Sequence, residues 1–192
     1  MPDPLQTAPA AAWDRATRHP FLDAVRDGTA GEAFDTWLAQ DALFVADLLR
    51  FQARLVGRAP RPAQGVLAGG VVALVEELDW FEAQAALRGT DLDVAPLPAT
   101  TAYARLLDRL DEAPYPVAVT ALWALERVYL LAWQHAAPGG GRFAAYVEHW
   151  TAPGFATYVD GLGTAADEAG APGDAVPEVL ALEAAFWDAA QA

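Results

Sequence analysis

The chain has 192 residues, 54% of them apolar and 10% aromatic, which is enough to build one sizeable core and argues against disorder. Its formal charge of −14 opposes a nucleic-acid footprint and a transcription-factor role, because phosphate backbones need basic patches. Ser, Lys, Cys, Asn and Ile are absent, so a serine triad, a cysteine nucleophile, a Schiff-base or P-loop lysine and a disulfide framework each lack an essential atom.

In chain order, residues 1–10 are rich in Pro and Ala and are expected to form a flexible arm, with a single domain over 11–192. His19-Pro20-Phe21-Leu22 opens a short helix that closes near Gly28, with Pro at a tolerated first position. Long helices are predicted over about 32–56 and 62–88, the second stopped at Arg88-Gly89. An Asp- and Pro-rich linker over 90–98 leads to a helix at about 99–111. Pro114-Tyr115-Pro116 starts a strongly apolar helix through about 136, which ends at Pro138-Gly139-Gly140-Gly141. Further helices are predicted at 142–150, 153–169 and 174–190, the last two separated by Gly170-Ala171-Pro172-Gly173. No alternating strand pattern and no internal repeat is visible, so the expected class is an all-α, single-domain helical bundle. The start carries no signal-peptide pattern, and no stretch approaches the roughly 18 uncharged apolar residues of a spanning helix. A cytoplasmic protein that uses neither membrane nor nucleic acid is the expectation.

Carboxylates interrupt three apolar stripes. Asp41 lies among Trp37, Phe44 and Leu48; Glu126 among Val119, Leu122, Trp123, Tyr129 and Trp133; Glu183 among Val179, Leu180, Phe186 and Trp187. One such acid reads as a boundary residue that reaches solvent or pairs with Arg or Tyr. Three, on three helices of one small domain, point to a cleft lined with carboxylates and aromatics. Glu76, Glu77, Asp79 and Glu82 fall between apolar positions and read as a solvated face, and Asp47 with Arg50 and Arg54 as a surface charge set. A di-iron site would need Glu-x-x-His pairs, and none of His19, His135 and His149 follows a Glu by three residues. The histidines therefore read as structural or surface groups, and no metal, haem or other cofactor is expected.

Ordered motifs then stand out: His19-Pro20-Phe21; Trp37-Leu38-Ala39-Gln40-Asp41-Ala42-Leu43-Phe44; Glu77-Leu78-Asp79-Trp80-Phe81; and Ala99-Thr100-Thr101-Ala102-Tyr103. Tyr115 through Glu126, Trp150 with Phe155, and Leu182-Glu183-Ala184-Ala185-Phe186-Trp187 complete the set. In these motifs, from His19 to Trp187, the chain resembles the TenA (thiaminase II-like) family. The resemblance implies a haem-oxygenase-like bundle without haem, with a pocket for the pyrimidine of thiamin and hydrolysis of the bond to its leaving group. Many members use a Cys on the helix that here starts at Pro116. This chain has none, Ala121 falls at that place, and the run ending at Glu126 is similar to a cysteine-less subgroup with a glutamate on that helix.

The function implied is therefore hydrolysis of thiamin-derived aminopyrimidines, N-formyl forms included, in thiamin salvage. A non-catalytic pyrimidine-binding protein and a haem-oxygenase-like enzyme of other chemistry are the alternatives. By the same resemblance Asp41, Glu126 and Glu183 are the catalytic candidates. Asp41 binds the pyrimidine amino group and adjacent ring nitrogen, Glu183 handles a proton on the ring or leaving amine, and Glu126 activates water or acts as nucleophile. Phe44 stands where relatives often carry Tyr, and Tyr103 and Trp150 match aromatic pocket positions. Tyr129, one turn after Glu126, is placed either to bond it or to pack. The expected partners are a small-molecule pyrimidine and further copies of the chain, as a dimer or tetramer.

Overall fold

Helices account for nearly all of the regular structure, and no strand occurs among the described residues, 8–170 and 173–192 of a computed structural model. The elements are α1 (Ala10–Thr17), α2 (Pro20–Arg26), α3 (Gly31–Arg58), α4 (Arg61–Arg88), α5 (Pro98–Glu112) and α6 (Tyr115–Ala136). A 3-10 turn (Gly141–Phe143) then leads into α7 (Ala144–Trp150), α8 (Pro153–Ala169) and α9 (Val176–Ala190). The expected boundaries agree to within one or two residues from α2 to α9, because proline and glycine mark them. Proline occupies the first turn of α2, α4, α5, α6, α8 and α9. Gly89 and Gly170 close α4 and α8 in the left-handed conformation, at φ 71° and 69°.

Helix α1 was not legible in the sequence, and it overlaps the end of the expected arm at Ala10, with residues 1–7 lying outside the described ones. Tertiary contact holds it: its Ala16 is fully buried, and the Trp187 indole donates to the Ala16 carbonyl at 2.8 Å. Only the flanks of the loop expected at Gly170–Gly173 are described, residues 171 and 172 being outside.

One contiguous core runs through the bundle. α3 and α4 form a long αα-hairpin, and α6 lies inside, packed against α8, α9, α1 and α2. By length and composition α6 could cross a bilayer, but 72% of its most apolar window is buried inside the protein, with Glu126 among its buried residues. The linker before α5 is pinned by one buried side chain. Gln40 donates to the Ala95 carbonyl, and its oxygen accepts from the Leu97 amide and the Thr100 hydroxyl. Arg54, which feels Asp47 as the expected charge set has it, takes its hydrogen bonds elsewhere. It bonds Asp111, while Arg58 caps the α5 carbonyls of Leu110 and Asp111, so both arginines fasten α3 to α5.

The turn after α6 meets the end of α2 backbone to backbone: the Gly140 amide donates to the Val25 carbonyl at 3.1 Å. A Cβ on Gly140 would fall 2.3 Å from the Gly28 nitrogen, with no flexible side chain to move aside. Gly140→Ala should therefore lower unfolding free energy by about 1–3 kcal/mol. At the exposed helical Gly65, where an added Cβ meets nothing, alanine should instead add about 0.5–1 kcal/mol. Urea denaturation of both variants checks the contrast.

Candidate active site

Helices α3, α4, α6, α7 and α8 enclose a cavity of about 780 Å³. The stripes described above bring Asp41 and Glu126 to this cavity and Glu183 to a recess behind it, because the aromatic residues beside each acid are locked in the core. Asp41 comes from α3 and lies beside Phe44; Glu126 and Tyr129 come from α6; Trp150 comes from α7. Behind Asp41 a small recess holds Tyr103 and Glu183, with Phe44 and Tyr129 shared between the two spaces. All the residues singled out from the sequence thus meet around one centre, with Tyr103 and Glu183 in the recess rather than on the main cavity.

The three carboxyl groups differ in partners. Asp41, 2% exposed, accepts the Tyr129 hydroxyl on Oδ2 at 3.0 Å. Tyr129 therefore bonds Asp41 and not Glu126, its neighbour one turn earlier. Glu183 Oε2 accepts the Tyr103 hydroxyl at 2.5 Å, leaving Oε1 buried without a partner. Glu126, 6% exposed, faces the cavity and makes no side-chain hydrogen bond among the described residues. Burial disfavours the charged form of all three. It pushes Asp41 well above the usual carboxylate range, against the pull of the Tyr129 bond, and neighbouring Glu183, Glu77 and Glu126 add to the rise. Glu126 is pushed up to about 8 by burial and then by Glu77 and Glu183, and Glu183 to about 8 by burial despite the Tyr103 bond. Tyr103, Tyr129 and Tyr158 are likewise raised well above the ordinary phenol by burial, so they act as neutral hydrogen-bonding groups.

Two expectations need correction. Glu77 is no solvated surface acid: it faces the cavity, accepts the Trp150 indole N–H at 2.6 Å and lies 2.6 Å from Nε2 of His149. His149, expected to be structural or surface, lines the same cavity and stacks flat on Trp80. The periodicity of α4 gave no signal for Glu77, because α4 is apolar on several faces and its cavity side is built from Gly69, Gly70 and Ala73. On α6 it is Leu125, not Ala121, that reaches the cavity; Ala121 is fully buried. Among the described residues no arginine lines the cavity, and no three His, Asp or Glu side chains are grouped to hold a metal ion. The arrangement suits a flat, non-anionic ligand that offers hydrogen-bond donors to carboxyl groups and a face to aromatic rings.

The TENA/THI-4/PQQC family model matches residues 8–190. A probable bifunctional TENA-E protein from Glycine max is 39% identical over 139 residues, which is 68% of this chain and 61% of that protein. The chain thus spans about six tenths of the length of this relative. A TenA homologue from Pyrococcus furiosus superposes with a TM-score of 0.87 at 26% identity, covering 94% of each chain. A putative TenA-like thiaminase from Sulfolobus solfataricus shares the fold, with a TM-score of 0.84 at 16% identity over 95% of this chain and 91% of that one.

The raised acids make stability depend on pH. The native state keeps protons on Glu126 and Glu183 up to about 8, whereas an unfolded glutamate releases its proton near the usual 4.5. Their contribution is therefore complete below that lower value and is lost as pH rises through the upper one. Glu126→Gln removes one of these groups while keeping its shape, so its thermal midpoint should fall less than the wild type's between about pH 5 and about pH 8. Parallel midpoint curves would mean that Glu126 is not held protonated.

Proposed function

The chain belongs to the TENA/THI-4/PQQC family, and from that premise we propose that it is a hydrolase of thiamin-derived aminopyrimidines, working by carboxyl acid–base chemistry without a cysteine. The observation that carries the reading is Glu126, a nine-tenths buried carboxyl with no partner, facing an aromatic cavity beside Asp41. Such a group is costly to maintain unless a ligand or a reaction uses it. The lack of cysteine in the chain supports a mechanism without a thiolate.

In this reading the pyrimidine lies in the inner part of the cavity, its amino group and neighbouring ring nitrogen against Asp41. Tyr129 holds Asp41 in place through Oδ2, leaving Oδ1 for the ligand. Phe44 and Trp150 supply flat apolar surface around the ring, with Tyr103 behind Phe44 in the recess. Glu183 carries its proton on the partnerless Oε1, since Oε2 already accepts from Tyr103, and delivers it to the ring edge or the leaving nitrogen. Glu126, when ionised, takes a proton from water as that oxygen bonds to the methylene carbon. The carbon–nitrogen bond breaks, the nitrogen takes its proton from the acid partner, and the products are the pyrimidine alcohol and ammonia. A base with a proton affinity near 8 is well matched to work close to neutral pH.

A mass-spectrometric screen with aminopyrimidine, N-formylaminopyrimidine and thiamin tests the assignment. Turnover of the aminopyrimidines with much slower cleavage of thiamin is expected, because no thiolate is present. Binding without turnover would leave a pyrimidine-binding protein, and comparable kcat/KM for thiamin would overturn the cysteine-less mechanism.

Two variants assign the groups. Asp41→Ala removes the carboxyl group that meets the ligand's amino edge, so affinity should fall by about tenfold or more in calorimetry. Glu126→Gln should lower kcat by about 10²-fold or more, and adding Glu183→Gln should cost little further, since members of one catalytic unit are not additive.

A further inference from the structure

The steps above leave Glu77 without a task, although it shares the cavity with Glu126 from the facing helix α4. Both of its oxygens are engaged: Oε1 accepts the Trp150 indole N–H at 2.6 Å, and Oε2 lies 2.6 Å from Nε2 of His149. His149 is itself fixed, its ring 4.1 Å from that of Trp80 with 1° between the planes. An indole only donates, so Oε1 of Glu77 is an acceptor, and Oε2 is held by the His149 ring. Glu126 differs, being buried with no side-chain donor among the described residues. The cavity thus holds two carboxyl groups, one engaged at both oxygens and one facing the open space.

We propose that Glu77 is a positioning residue: it fixes Trp150 and His149 as cavity walls, one with each oxygen, and places a second carboxyl group across the cavity from Glu126, whose charge responds to it. The other ionisable groups around Glu126 are Asp41 from α3, Glu76 from α4, His149 from α7, Tyr158 from α8, Glu183 in the recess beneath α9, and Tyr129 on its own helix. Among the charged neighbours that raise Glu126, Glu77 comes ahead of Glu183, and it also raises Asp41. The structural arrangement thus gives one residue two jobs, holding the aromatic walls and strengthening the base.

The bearing on turnover rests on Glu126 being the base, whereas its titration does not, and the two can be read separately. Carboxyl-carbon NMR on glutamate-labelled protein follows Glu126 directly, its signal assigned by its loss in Glu126→Gln. In Glu77→Gln the midpoint of Glu126 should drop by about one pH unit or more, because a like charge has gone. Trp150→Phe removes one clamp and keeps the charge, so the midpoint should stay while KM for aminopyrimidine rises. With substrate, the rising limb of kcat against pH should move down with the midpoint in Glu77→Gln. Glu77→Met carries the same expectation and serves if the Gln variant does not fold. An unchanged Glu126 midpoint in either folded variant overturns the proposal. A shifted midpoint with no turnover of any aminopyrimidine would sustain it while removing the proposed reaction.

Discussion

Carboxyl groups held away from water are the constraint around which this bundle is arranged. Asp41, Glu126 and Glu183 come from three different helices and are each at least nine-tenths buried, yet together they receive only the hydroxyls of Tyr129 and Tyr103. A buried ionised carboxylate without compensation is expensive, and the group answers by keeping its proton. The cost is offset by the packing around it. Trp37, Trp133, Trp150 and Trp187 pack with Phe21 and Phe34 into one aromatic mass that fixes α3, α6, α7 and α9 relative to each other. Large rings of this kind contribute a great deal of buried apolar area and hold their neighbours in single rotamers. The acids cannot swing out to solvent without disturbing that mass.

The polar groups around the centre fall into two sets. Gln40, one residue before Asp41, is satisfied entirely by backbone and Thr100, and it holds the linker that leads into α5 and so to Tyr103. Asp35, Arg88 and Thr90 perform a similar task at the outer end of the α3–α4 hairpin, where the Arg88 guanidinium also lies over the Phe34 ring at 4.9 Å. These groups have their partners and act as scaffold. Among the described residues Glu126 receives no side-chain hydrogen bond and Oε1 of Glu183 has no partner, and the first faces the cavity while the second faces the recess.

Much of this was readable from the chain alone, for identifiable reasons. Helices α2 to α9 were legible because proline and glycine punctuate them, and Asp41, Glu126 and Glu183 because a charged residue in an apolar stripe is conspicuous at helical spacing. Helix α1 escaped because its eight residues gain their stability from Trp187 and the core rather than from capping. Glu77 escaped for a different reason. Its helix shows no single apolar face, so an acid pointing inward looks the same in sequence as its neighbours Glu76 and Asp79. The partner of Tyr129 was equally beyond reach, since the 88-residue separation from Asp41 is closed only by the packing of α3 on α6.

The most direct measurement is the structure of the protein with an aminopyrimidine bound. The account predicts the ring seated between Phe44 and Trp150, its amino edge on Oδ1 of Asp41, and its methylene carbon turned toward the carboxyl of Glu126. A ring bound elsewhere in the cavity, or seated with its methylene carbon away from Glu126, would contradict it.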